Sequence, residues 1–286
     1  MTNVGDKVLV PGPTYPPYIN IARFLGAVPI EYRCFSDNWQ PDIDDIRNKI
    51  DEKTKAIVII NPNNPTGTLY SEKIIKQITD VALEHNLLII SDEIYDRMVY
   101  DGVMTPTAKI VKDGVVIGLN GFSKSYLLTG WRMGYVYIHD PTHEAEDEMM
   151  KLLVKMAMLR LCANTPIQVA VAKGLRSKDR DSHIKPMIRK LIERRNYAVK
   201  RFREIGFDVV KPEGAFYIFP RVPEGSWKDD KDFMLKLLKD VGVFIVHGSG
   251  FGDYGRGYFR MVYLPPVEVL EEAFEKIKDF VEKNQG

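Results

Sequence analysis

The chain has 286 residues, 45% of them hydrophobic, with 40 Lys and Arg against 39 Asp and Glu. That length predicts one large or two moderate domains, and the near-neutral charge excludes a polyanion binder, whether of nucleic acid or of anionic lipid. Cys34 and Cys162 are too few for a disulfide framework or a zinc site, and with no membrane-length apolar run and no signal-peptide start the sequence predicts a cytoplasmic protein.

Short apolar, β-branched runs recur along the first half: Lys7 to Val10, Val28 to Tyr32, Ala56 to Ile60, Leu87 to Ser91, Val115 to Leu119 and Tyr135 to Ile138. Spaced by helix-length segments, they predict buried parallel strands in a wound α/β sheet. From Ser71 to Glu84 the positions Ile74, Ile75, Ile78, Val81 and Ala82 follow helical spacing, with Ser71 as N-cap. After Asp140 one long helical region is expected, from about Glu144 to Lys173, and then a charged helix, Ile184 to Ile205, linking two domains. Beyond Gly206 the segments Phe207 to Val210, Ala215 to Phe219, Val243 to Val246 and Tyr258 to Val262 alternate, with a helix from Asp230 to Lys239 between them. The fold expected is α/β. A mostly parallel wound sheet forms a large domain over residues 1–178, and a smaller C-terminal α+β domain, residues 179–286, includes the linking helix.

Ligands of open α/β sheets bind beyond the carboxyl ends of the strands, and three such junctions carry polar residues. Ala56 to Ile60 ends in Asn61-Pro62-Asn63-Asn64-Pro65-Thr66-Gly67, where two prolines restrict the backbone and Asn64 can point its amide at a ligand; a rigid turn without a ligand reads equally well. Leu87 to Ile90 ends in Ser91-Asp92-Glu93-Ile94-Tyr95, a carboxylate and a phenol three residues apart, though an acidic pair after a strand also serves as a helix cap or ion-pair partner. Val115 to Leu119 leads into Asn120-Gly121-Phe122-Ser123-Lys124-Ser125-Tyr126, then Gly130-Trp131-Arg132-Met133-Gly134. Taken alone Lys124 has a solvated surface as its default, against which its small and apolar neighbours argue.

In this order the three junctions resemble those of the class I and II aminotransferases among the fold-type I pyridoxal-phosphate enzymes, and the resemblance runs from Gly5-Asp6-Lys7-Val8-Leu9-Val10 to the last helix. It implies pyridoxal 5'-phosphate as cofactor, an amino acid and a 2-oxo acid as substrates, and a homodimer. Lys124 is then the lysine that bonds the cofactor and moves the substrate's α-proton, a task that needs a lowered amine pKa. Asp92 pairs with the pyridine nitrogen, Tyr95 and Asn64 donate to the ring's phenolic oxygen, and Asn64 also touches the substrate carboxylate. Arg132, eight residues after Lys124, holds the phosphate with Ser123 as a second contact, while Gly121 stands where the family often has a serine. Tyr15, in Pro13-Thr14-Tyr15-Pro16-Pro17-Tyr18, matches the aromatic that stacks on the ring; without the resemblance a core residue reads equally well. Arg260, in Tyr258-Phe259-Arg260-Met261-Val262, matches the arginine that binds the substrate α-carboxylate, where an isolated strand arginine would be a surface charge. Gly248-Ser249-Gly250-Phe251-Gly252 resembles a flexible loop near the substrate mouth, and the five histidines form no metal-like cluster.

Members of that family begin well before Val4, so a preceding stretch on the order of a hundred residues is expected, with a Gly-rich phosphate turn, a tyrosine lent to the neighbouring subunit and a dimer arm. A chain without it is expected to hold the cofactor weakly. Met156 to Pro166 and Cys34 to Pro41 are similar to bacterial and archaeal glutamate:pyruvate (alanine) aminotransferases, which implies transfer between L-alanine and 2-oxoglutarate. Aspartate or aromatic aminotransferases and carbon-sulfur β-lyases of the same fold share Lys124, Asp92 and Arg132, and a non-catalytic cofactor-binding module is the alternative outside enzymes.

Overall fold

The computed structural model describes residues 2–159 and 161–285. In chain order β1 (Lys7–Gly12), α1 (Pro16–Phe24), β2 (Val28–Arg33), α2 (Ile43–Lys49), β3 (Thr54–Ile60), α3 (Glu72–Glu84), β4 (Leu88–Asp92), α4 (Thr107–Ile110), β5 (Val116–Gly121) and β6 (Gly134–His139) build a six-stranded sheet of order β2-β1-β3-β4-β5-β6. All six apolar runs are strands, and the first five are parallel. The expectation of parallel strands is corrected at β6, which pairs antiparallel with β5. Only a loop with one short 3-10 turn, Thr129–Trp131, joins the two, whereas a parallel return needs a crossover, usually a helix, to carry the chain back.

The strands alternate between two apolar layers. Leu9, Ile57, Ile59 and Ile89 pack with Ile75, Ile78, Val81 and Ala82 of α3, whose first turn is capped by the Ser71 side chain accepting from the N–H of Ile74. Val10, Val58 and Ile60 point the other way and pack with Ile19 of α1. The region after Asp140 is not one helix but two, α5 (Glu146–Met158) and α6 (Thr165–Leu175). Asn164 Oδ1 accepts from the N–H of Ile167 and Pro166 lies in the first turn, so this segment starts a helix rather than continuing one.

The charged helix α7 (Ile184–Ile205) has the predicted bounds and ends at Gly206, whose φ of 96° suits glycine. Beyond it β7 (Tyr217–Ile218), α8 (Asp230–Val241), β8 (Val246–His247), β9 (Phe259–Val262) and α9 (Val267–Asn284) complete the chain, with an antiparallel sheet of order β7-β9-β8. Phe207 to Val210, expected as a strand, forms none. Phe207 and Val209 alternate into the core, but the Phe207 N–H turns back to the carbonyl of Phe202 and the Asp208 carbonyl accepts from the N–H of Arg221, which builds no ladder. Among the described residues no helix is long and apolar enough to cross a membrane.

An aromatic cluster holds this C-terminal part together. Phe202 of α7 is fully buried and meets Phe274 edge-to-face at 4.7 Å, with Phe207 and Phe259 at 5.2 and 5.7 Å. Phe202→Ala removes a ring that its neighbours cannot replace, and is expected to lower stability by about 3–5 kcal/mol. Urea unfolding checks this; a loss under about 1 kcal/mol would mean that the cluster closes over the gap.

Candidate active site

From β1 the chain winds outward to β2, and from β3 it winds the other way to β4 and β5, so a crevice opens above the carboxyl ends of β1 and β3. The structure gathers Tyr15, Asn64, Asp92, Tyr95, Ser123, Lys124, Arg132 and Arg260 around one cavity of about 420 Å³ at this place. A larger cavity of about 770 Å³ beneath α6 shares only Asn120 with it and has neither Lys124 nor Asp92 in its lining. Donor chemistry rather than size therefore marks the site.

Each side chain is placed by local rules. The turn after β3 consumes two of its three asparagines internally: Asn61 Oδ1 accepts from the N–H of Tyr70 at 2.8 Å, and Asn63 Oδ1 from the hydroxyl of Thr66 at 3.0 Å. Asn64 alone turns its amide to the cavity, where its Oδ1 accepts from Arg260 Nη1 at 2.9 Å. Gly67 pins this turn, with a φ of 73° and a carbonyl that accepts from Glu213 and Gly214 at 2.9 and 2.8 Å. A Cβ there would come within 2.8 Å of the Tyr217 carbonyl.

Asp92 ends β4. Its Oδ2 accepts from the Tyr18 hydroxyl at 2.7 Å and its Oδ1 from the N–H of Ile94 at 3.2 Å. Burial pushes this carboxyl above the usual range, against the pull of those two donors and of the Lys124 charge. Tyr95 is buried, and its hydroxyl shares a 2.7 Å hydrogen bond with that of Tyr217.

Lys124 lies in the loop after β5, with Nζ 5.3 Å from the centre of the Phe216 ring and 5.9 Å from that of Tyr95. Burial lowers its pKa first, and the charges of Arg260 and Arg132 add to this while Asp92 opposes it. The loop carries two left-handed non-glycine residues, Leu127 at φ 57° and Arg132 at φ 53°. Such conformations cost about 1–3 kcal/mol each and persist where the surroundings impose them. Arg132 donates to the Thr129 carbonyl at 3.0 Å and sits at the exposed rim, as does Tyr15.

Arg260 belongs to β9, where Phe259 and Met261 point into the aromatic core and the alternate residue faces the cavity. Its guanidinium lies 4.5 Å from the ring centre of Tyr217 and 4.7 Å from that of Phe251. Burial lowers its pKa, and its Nε is buried with no hydrogen-bond partner among the described residues. The segment Gly248 to Gly252, expected as a flexible loop, is instead a packed 3-10 turn. Phe251 is buried, its carbonyl accepts from the N–H of Thr14, and a Cβ on Gly248 would strike the carbonyls of Gly255 and Tyr258.

Two partners of the site residues had escaped the sequence reading, Tyr217 in the cavity lining and Tyr18 outside it, behind Asp92. Tyr18 follows Tyr15 by one turn of α1, an i, i+3 spacing that was legible once Pro16 and Pro17 are read as a helix start. Tyr217 gave no signal, because every residue from Ala215 to Phe219 is buried and alternation marks no outer face.

A family model described as aminotransferase class I and II matches residues 1–277. The chain belongs to this family. It is 40% identical to the glutamate-pyruvate aminotransferase AlaA of Haemophilus influenzae, over 98% of this chain and 70% of that one. To the aromatic-amino-acid aminotransferase 2 of Thermococcus litoralis it is 35% identical, over 98% and 71%. A solved alanine aminotransferase from Pyrococcus furiosus superposes with a TM-score of 0.95 at 48% identity, covering 99% of this chain and 72% of that one.

Class I and II aminotransferases are transaminases that use pyridoxal 5'-phosphate. The residues present fit that cofactor. A half-buried amine of lowered pKa suits an aldehyde, a half-buried carboxylate suits a pyridinium nitrogen, and an arginine at the rim suits a phosphate. The unpartnered Nε of Arg260 leaves a further donor for an anion.

Proposed function

We propose that this aminotransferase moves the amino group reversibly between L-alanine and 2-oxoglutarate. The observation that carries the reading is one cavity in which Lys124 and Asp92 face each other's charge while Arg260 stands beside Asn64. The choice of alanine is supported by the similarity to the Pyrococcus furiosus and Haemophilus influenzae enzymes.

Bound there, pyridoxal phosphate supplies an aldehyde that bonds amines and a ring that takes up the electrons left when an α-proton departs. Arg132 and Ser123 would hold its phosphate, Asp92 its ring nitrogen and Tyr95 and Asn64 its phenolic oxygen, with Tyr15 against the ring. Lys124 would be the amine that the cofactor's aldehyde takes up, and its free amine would carry the proton to and from the substrate's α-carbon. Arg260 and Asn64 orient the substrate through its carboxylate, which holds the α-hydrogen within reach of the amine.

The test is to supply the cofactor-loaded protein with L-alanine and 2-oxoglutarate and measure pyruvate. Pyruvate that depends on both is expected. Turnover with aspartate or aromatic amino acids alone would overturn the alanine assignment, and pyruvate with ammonia from cystathionine in the absence of an oxo acid would make the enzyme a lyase. Arg260→Lys keeps the charge but loses the planar fork, and is expected to raise the KM for alanine about 10- to 100-fold. An unchanged KM would move the carboxylate site elsewhere.

A homodimer belongs to the same proposal, because Val154, Met156, Met158, Leu159 and Leu161 leave an exposed apolar surface along and just beyond α5. Sedimentation tests it. A division of the chain at residue 178 belongs to it too, and limited proteolysis between α6 and α7 tests that.

A further inference from the structure

The side of Asp92 away from the cofactor site is held by a residue that the resemblance assigns no part. Tyr18 stands in the first turn of α1, after Pro16 and Pro17, and packs with Val10, Ile19, Val58 and Ile60 beneath that helix. From there its hydroxyl crosses to the end of β4 and donates to Asp92 Oδ2 at 2.7 Å. Burial, and the carboxylate itself, push the phenol well above its usual pKa, so it remains an O–H donor throughout the working range.

Asp92 needs such a donor. A buried carboxylate drifts toward its neutral form, and a neutral acid cannot hold a protonated ring nitrogen. The titratable groups around it are Tyr18 from α1, Lys124 from the loop after β5, and Tyr95 and Tyr217 across the cavity. Only the first two favour the anion, and Lys124 is the group that leaves its place during the reaction.

We propose that Tyr18 is a positioning residue acting through Asp92, its hydroxyl keeping the carboxylate charged and turned toward the cofactor. This rests on the role given above to Asp92. Tyr18→Phe removes the hydroxyl and leaves the ring. Without it Asp92 takes up a proton more readily, so the acid limb of the kcat profile moves to higher pH. KM for alanine stays within about twofold, since Tyr18 touches no substrate, and the apoenzyme binds pyridoxal phosphate about tenfold more weakly, the scale of one hydrogen bond to a charged group.

The measurements are the pH profile and a fluorescence titration of apoenzyme with pyridoxal phosphate, with thermal unfolding alongside. A fluorinated tyrosine at position 18 is a stronger donor in the same space, and shifts the acid limb the opposite way. Opposite shifts in the two variants support the proposal. Unchanged affinity and profile in Tyr18→Phe overturn it, as does a fluorinated variant that leaves the limb in place, which also decides the matter if Tyr18→Phe does not fold. Asp92→Asn separates the two layers: if it is crippling while Tyr18→Phe is silent, only the role of Tyr18 falls, and if it is silent, the role of Asp92 falls with it.

Discussion

Lys124→Ala is expected to stop turnover, by about 10⁴-fold or more, and to abolish the borohydride-trappable bond between chain and cofactor. Among the described residues no other amine lines the cavity, so none of them can take over the proton at the α-carbon. The same lysine predicts a pH dependence. Its pKa lies below the ordinary lysine range, so the free amine accumulates as pH rises and capture of cofactor levels off before an exposed lysine would lose its proton. Removing the positive charge of Arg260 takes away one of the influences that lower that pKa, and should move the midpoint of capture to higher pH. A mass spectrum of the reduced protein reads both effects: retention of the trapped cofactor mass in Lys124→Ala would assign the bond to another residue.

Asp92→Asn is the second severe change. It keeps the shape of the side chain but gives up the charge, and an amide cannot hold a ring nitrogen in its protonated form. A fall in kcat of about 10²- to 10³-fold is expected, the scale for loss of one preorganised electrostatic partner. The proposal places the substrate carboxylate at Arg260 and Asn64 instead, so KM should change far less. A loss of less than about threefold in kcat would show that the charge at position 92 is not used in the chemistry. Stability is expected to hold or rise slightly, because a buried anion is removed while a hydrogen-bonding group stays.

The strands were legible because each apolar run stops at a polar junction, and a parallel sheet needs both features to bury its faces and open its ends. Asn64, Asp92 and Lys124 sit just past such stops, so sequence order alone brought them close. The direction of β6 was not legible in composition, since Tyr135 to Ile138 reads the same in either sense. It follows from the short connection after Gly121. The break before Asn164 was hidden by apolar spacing that continues on both sides of it, although Asn164 and Pro166 together signal a new start. Tyr18 was legible as a neighbour of Tyr15 on α1, but its reach to Asp92, like that of Tyr217 to Tyr95, crosses between elements and is a property of packing that no local pattern encodes. Gly248 to Gly252 misled for a similar reason: glycines suit mobile backbone and tight packing alike, and here Gly248 and Gly255 lie too close together for any side chain.

Arg260 is caught between the rings of Tyr217 and Phe251, and one of its donors is already engaged by Asn64. A long cationic side chain usually surrenders much of its rotational freedom at the moment it grips an anion. Here that surrender accompanied folding, so on the proposed role of Arg260 an arriving carboxylate finds a socket already still. The entropic burden is borne once, by the protein, and does not recur at each turnover.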